Sequence, residues 1–172
     1  MNKFLCRPWG IALLTAVLVL LDQWTKMLAV QFLKDQEPFV IWDGVFELHY
    51  LENRGAAFGM LQGRQIFFFV TGIIVFAAVI YLFLHMSKDQ RFLPIRLIAV
   101  FVLAGAWGNM IDRVRLSYVV DFFYFKLIDF PIFNVADIYV SVGTAVLIVL
   151  ILFVYKDEEL DGLLEKRKGK KS

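Results

Sequence analysis

The sequence predicts a mainly α integral membrane protein, four transmembrane helices with a small extracytoplasmic β-sheet, on three observations. The chain is 60% hydrophobic with a mean hydropathy of +0.68, beyond the roughly 45–50% apolar content of an ordinary soluble domain. Four stretches approach the about 20 apolar residues that a helix needs to cross a bilayer. Between the first two, strand-like runs straddle Asp43-Gly44, a dipeptide that favours a tight hairpin turn. With 172 residues and little chain left over, a single membrane domain over 1–172 is expected.

The first span is expected over residues 11–33. Lys3 and Arg7 ahead of it imitate a secretory signal, but no A-x-A-like site follows and the apolar run continues past Asp22, so the segment is expected to be retained. The outward connection 34–65 holds Phe39-Val40-Ile41-Trp42 and Val45-Phe46-Glu47-Leu48-His49-Tyr50. A sheet built from them would lie at the outer surface, its apolar residues against lipid headgroups or an amphiphilic substrate. Asn53-Arg54-Gly55-Ala56-Ala57-Phe58-Gly59 follows, a small-residue stretch where backbone can approach a ligand or helix closely. The second and third spans are expected over 66–84 and 95–111, and the fourth over 135–155 after a second outward connection, 112–134. The tail 156–172 alternates acids and bases, which predicts a solvated or headgroup-bound segment.

Short loops carry Lys and Arg preferentially on the cytoplasmic side. Lys3, Arg7, Lys88, Arg91, Arg96, Lys156, Lys166, Arg167, Lys168, Lys170 and Lys171 fall on one side, eleven of the 18 basic residues. Both termini are therefore expected in the cytoplasm. The polar islands then face the extracytoplasmic leaflet.

An ionisable group near hydrocarbon is costly and marks a functional candidate. Asp121, in Val119-Val120-Asp121-Phe122-Phe123, has neither a capping pattern nor an adjacent base. Asp137, in Phe133-Asn134-Val135-Ala136-Asp137, fits a capping box with Asn134 as N-cap. If the intervening loop folds back, the two carboxylates meet, share a proton and titrate as a unit. One then deprotonates a water while the other protonates or polarises a carbonyl.

Asn109 and Arg113 close the third span at the same depth, placed to bond substrate carbonyls or orient the aspartates. Asp112 beside Arg113 also fits an interfacial pair that anchors the helix end. Gly105 and Gly108 suit tight helix packing. Asp22 and Lys26, four apart, can pair across one turn inside the membrane and are expected to be scaffold, with Thr25 bonding its own backbone. Ser141 activated by Lys26 is a disfavoured alternative, since membrane hydroxyls usually satisfy backbone or pack. One cysteine, Cys6, and two histidines, His49 and His85, supply no metal spacing, so no metal and no cofactor is expected.

Asp22-Gln23-Trp24-Thr25-Lys26, Asn53-Arg54-Gly55-Ala56-Ala57-Phe58, Gly108-Asn109-Met110-Ile111-Asp112-Arg113, Val120-Asp121-Phe122 and Phe133-Asn134-Val135-Ala136-Asp137 occur in that order. Together they resemble the lipoprotein signal peptidase family, signal peptidase II, from Asp22 to about Gly143. The resemblance implies an aspartic intramembrane endopeptidase of the bacterial cytoplasmic membrane. Its substrate would be a diacylglyceryl-modified prolipoprotein, cut just before the lipidated cysteine. Asp121 and Asp137 would be the catalytic pair, with Asn53, Gly55, Asn109, Arg113 and Asn134 lining the site and Asp22, Lys26, Gly105, Gly108 and Asp112 supporting it. The outer sheet would cradle the lipid-bearing substrate. Ala104 and Ile138-Tyr139 depart from the family pattern without touching the aspartates.

Expected partners are the lipidated prolipoprotein and membrane phospholipid, with no nucleic acid and a monomeric state. The rival class is a small proton- or cation-coupled transporter, which would carry its acid near the midplane and show inverted repeats. A structural assembly factor would leave both aspartates dispensable.

Overall fold

The computed structural model describes residues 7–55 and 63–163. Lys3, Cys6, the small-residue stretch 56–59 and the basic residues of 164–172 lie outside them. Helix α1 runs Pro8–Leu33. It starts earlier than expected because Pro8 occupies the first turn, where a missing N–H costs nothing.

Strands β1 (Phe39–Trp42) and β2 (Phe46–Asn53) form the expected hairpin. Val45 N–H donates to the Trp42 carbonyl at 2.9 Å, and Trp42 pairs with Phe46. The loop thus holds three residues, with Gly44 at φ 68° supplying the left-handed step. Helix α2 spans Gln65–His85. Helix α3 spans Leu93–Leu116 and ends on Ser117, which adopts φ 66° and donates its N–H to the Arg113 carbonyl.

The third span therefore continues past the expected end at 111. Asp112 and Arg113 stay helical because each meets a partner: Asp112 bonds Lys26 of α1, and Arg113 lies 4.3 Å over the Phe68 ring of α2. An Asp112–Arg113 anchor at the membrane surface is thereby corrected to a buried acid within the bundle, 3% exposed.

A third strand, β3 (Val119–Tyr124), lies within the connection 112–134, where the sequence predicts only loop. It pairs antiparallel with β2, placing Asp121 opposite Leu51 in a sheet of order β1-β2-β3. The chain then returns: Phe122 and Phe123 N–H both donate to the Phe133 carbonyl, at 3.0 and 2.8 Å. That bridge brings the start of the last span beside β3. A short turn at Lys126–Ile128 is tied to the sheet by Lys126 to the buried Glu47 at 2.7 Å.

Helix α4 spans Val135–Val149 and continues as a π-helical turn over Leu150–Val154. Short helix α5 (Asp157–Asp161) then packs back. The sequence predicts a solvated or headgroup-bound tail from 156, and Lys156, Asp157 and Glu158 are exposed. Its leucines, however, pack: Leu160 and Leu163 cover Met86, Phe92, Ile95 and Tyr155, and Arg91 forks onto Glu159 at 2.7 and 3.2 Å. Burying those leucines is favourable by about 25 cal/mol per Å², which offsets the entropy of ordering the segment.

Among the described residues four helices, Pro8–Leu33, Ile66–His85, Gln90–Leu116 and Val135–Val154, are long and apolar enough to cross a membrane. Helix α3 is the most buried and packs on α1, α2 and α4. A Cβ on Gly105 would stand 2.5 Å from the Ala136 carbonyl and 2.7 Å from Val140 Cγ2. Gly105→Ala is accordingly expected to push α3 off α4 and cost about 1–3 kcal/mol, read as a lower melting temperature in detergent; an unchanged one would contradict that packing.

Candidate active site

Polar residues from α1, β2, β3, α3 and α4 converge at the sheet end of the bundle. Asn134 ends the return from β3 and caps α4: its side-chain Oδ1 accepts the Asp137 N–H at 3.1 Å. Asp137 Oδ2 accepts the Asn134 N–H at 3.2 Å in return. This capping box orients Asp137, and the helix dipole favours its negative charge. Asn134 does more than cap, since its Nδ2 donates to Asp121 Oδ1 at 2.6 Å. One residue thus touches both carboxylates, Asp121 through its side-chain amide and Asp137 through its backbone N–H.

Each remaining carboxylate oxygen also has a donor. Asn53 Nδ2 donates to Asp121 Oδ2 at 2.8 Å, and Asn109 Nδ2 donates to Asp137 Oδ1 at 2.8 Å. Asn53 Oδ1 accepts the Gly55 N–H at 2.9 Å, which fixes that amide's orientation. Arg113 reaches the Gly55 carbonyl at 3.4 Å and so closes the β2 end over the site. The described hydrogen bonds give Arg113 no contact with either aspartate.

Asp121 is 1% exposed. Burial, and next the charge of Asp137, pushes its carboxyl from 3.8 up to about 7, against the opposing pull of the Asn53 and Asn134 amides. Asp137 is only half-buried. The buried acid therefore keeps its proton up to about neutral pH while its partner meets the cavity, an asymmetry suited to acid and base roles.

Both aspartates line a cavity of about 330 Å³ with Asn53, Gly55, Asn109 and Arg113 on its polar side. Phe130, Pro131, Ile132, Phe133, Ile138 and Val142 make its apolar side. A larger hollow of about 460 Å³, between α1, α2 and α3, is lined by apolar residues and Thr15, with no acid or base among them. Ser141 lines the smaller cavity too. Lys26 is not available to activate it: its Nζ is committed to Asp22 at 3.0 Å, Asp112 at 2.9 Å and Asn109 Oδ1 at 2.8 Å.

The support residues meet as a second layer. Asp22 Oδ1 accepts the Ala136 N–H at 2.9 Å, satisfying one orphan donor of α4's first turn. Gly108 leaves room for that carboxylate, which a Cβ there would strike. Thr25 bonds the Asp22 carbonyl at 2.7 Å, within its own helix. Sequence reasoning assigned no role to Gln23, which bonds the Gly108 carbonyl at 3.1 Å and Asp112 at 2.9 Å. Its position inside the Asp22–Lys26 polar run was the available signal. The apolar wall 130–133 had none, because it reads as ordinary loop.

Comparison with known proteins identifies the family. Residues 14–153 match the family model described as signal peptidase (SPase) II. The chain is 45% identical to a lipoprotein signal peptidase of Enterococcus faecalis over 83% of its length and 84% of the relative's. It is 43% identical to that of Caldanaerobacter subterraneus subsp. tengcongensis, over 81% and 94%. A solved bacterial membrane enzyme superposes with a TM-score of 0.76 at 31% identity, covering 92% of this chain and 94% of that one. A second superposes at 0.74 and 32%, covering 86% and 96%. A peptidase family disfavours the transporter alternative, and the chain belongs to the signal peptidase (SPase) II family.

Proposed function

We propose that this protein is an aspartic endopeptidase that removes the signal peptide from diacylglyceryl-modified prolipoproteins, cutting immediately before the lipidated cysteine. The observation that carries the reading is the pair Asp121 and Asp137 on one cavity, joined through Asn134 and each held by further amide donors. No nucleophilic side chain with a free base stands beside them among the described residues.

Asp137, facing the cavity, acts as the base and takes a proton from water. The resulting hydroxide attacks the scissile carbonyl carbon while Asp121 gives its proton to the carbonyl oxygen. The tetrahedral diol collapses, the C–N bond breaks and the amine leaves protonated by the Asp137 carboxyl; the diol returns a proton to Asp121. Peptide and water become a carboxylic acid and an amine, with no covalent enzyme intermediate. Asn53, Asn109 and Asn134 hold the carboxylates, and Gly55 and Arg113 border the substrate path.

This division of labour requires Asp121 protonated. Its carboxyl lies near pH 7, so the competent form is retained below that pH and lost as pH rises through it. Activity is expected to show an alkaline limb centred near pH 7; a rate flat from pH 6 to 9 would contradict it.

The exposed Phe39, Val40, Ile41 and Trp42 of β1, with Leu127 and Ile128, form an apolar rim suited to phospholipid of the extracytoplasmic leaflet. The charge asymmetry of the loops supports cytoplasmic termini in the bacterial inner membrane, and the enclosed polar site supports a monomer as the working unit. The test is cleavage of a diacylglyceryl-modified prolipoprotein and its unlipidated form by the purified protein. Cleavage of the lipidated form alone is expected; equal cleavage of both, or of neither by folded protein, overturns the assignment.

A further inference from the structure

We propose that Lys26 is a positioning residue for this reaction, acting through Asn109 on Asp137. The inference rests on the two-carboxylate reading above and goes beyond it. Sequence reasoning makes Lys26 half of a structural ion pair, and Asp22 and Asp112 already supply it with carboxylates at 3.0 and 2.9 Å. Its third and shortest contact is neutral: Asn109 Oδ1 at 2.8 Å.

An ammonium donates three hydrogen bonds and accepts none, whereas a primary amide has one accepting and one donating end. Lys26 therefore fixes which end of Asn109 faces it. The Nδ2 end is turned the other way, where it donates to Asp137 Oδ1 at 2.8 Å. Flipped, the amide would set its N–H groups against the ammonium and its oxygen against the carboxylate, two repulsive contacts replacing two attractive ones. Asn134 Nδ2 also points at Asn109 Oδ1, at 3.1 Å, but it makes a shorter bond to Asp121 at 2.6 Å. The buried ammonium is the stronger determinant because charge-assisted bonds are roughly twice as strong as neutral ones.

The chain of contact thus crosses the bundle from α1 through α3 to the first turn of α4. Lys26 is 3% exposed and belongs to none of the residues lining the cavity. It touches no substrate. Arg113 from α3 and Asp121 from β3 also interact electrostatically with Asp137, and Lys26 with Asp121, but Arg113 bonds only the Asn109 backbone carbonyl.

The test uses the full-length protein in detergent with a diacylglyceryl-modified prolipoprotein. Lys26→Met is expected to lower kcat roughly 10- to 100-fold with KM near the wild-type value. Asn109→Ala should show a loss of similar size, and adding Lys26→Met to it should cost nothing more in kcat. Where Lys26→Met folds poorly, Lys26→Met/Asp112→Asn keeps the net charge of the cluster and is read in the same way. An unchanged kcat per folded molecule, or kcat losses that multiply in the double variant with Asn109→Ala, would overturn the proposal. Wild type that fails to cleave, or Asp137→Asn that cleaves normally, would instead overturn the two-carboxylate reading.

Discussion

Asp121→Asn and Asp137→Asn are each expected to lower cleavage of a lipidated prolipoprotein by about 10²- to 10⁴-fold while leaving the protein folded in the membrane. Asparagine keeps the shape of the side chain and one accepting oxygen, so Asn134 can still bond at either position. The capping box also survives at residue 137, since an amide oxygen can accept the Asn134 N–H. What disappears is the capacity to hold and release a proton. Loss of the base at 137 leaves water un-ionised, and loss of the acid at 121 leaves the carbonyl oxygen without its proton. More than a few per cent of wild-type turnover in either variant would count against the pair.

Asp22→Ala has the second-largest expected effect, on stability. Asp22 is fully buried and serves Lys26 at 3.0 Å and the Ala136 N–H at 2.9 Å together. Its removal strands a buried ammonium with a single carboxylate and leaves a helix-start donor unpaired. Breaking a buried ion pair by deleting one partner costs about 3–5 kcal/mol. The expected result is a marked fall in membrane abundance and in melting temperature in detergent. An unchanged melting temperature would mean that Asp22 is not the link between α1 and α4.

The four spans were legible because length and apolarity alone specify them, and the hairpin was legible because Asp43-Gly44 carries its own turn geometry. Strand β3 was not. Val119–Tyr124 has the β-branched and aromatic content of a strand, but its partner β2 lies some seventy residues upstream, and pairing across that separation leaves no local mark. Asp121 was recognised as an isolated acid without being recognised as a sheet residue. The capping box at Asn134 was legible from spacing, whereas the Asn134 bond to Asp121 depends on the Phe123–Phe133 bridge and was invisible.

The same limit applies to the support layer. The spacing of Asp22 and Lys26 revealed a pair, yet their links to Asp112, Asn109 and Ala136 require the relative register of α1, α3 and α4. Register is set by close approach at Gly105 and Gly108, whose neighbours lie on other helices. The termination of α3 was misjudged for a related reason: charged residues end a span only when nothing neutralises them. Here Lys26 and Gln23 from α1 do so for Asp112.

Direct attack by water is the central mechanistic claim, and product analysis in the presence of hydroxylamine, with intact-protein mass spectrometry, tests it most directly. The wild-type protein is predicted to release a signal peptide ending in a free carboxylate and to carry no adduct. A hydroxamate at the end of the released peptide, or an acyl group on Ser141, would contradict the two-carboxylate mechanism.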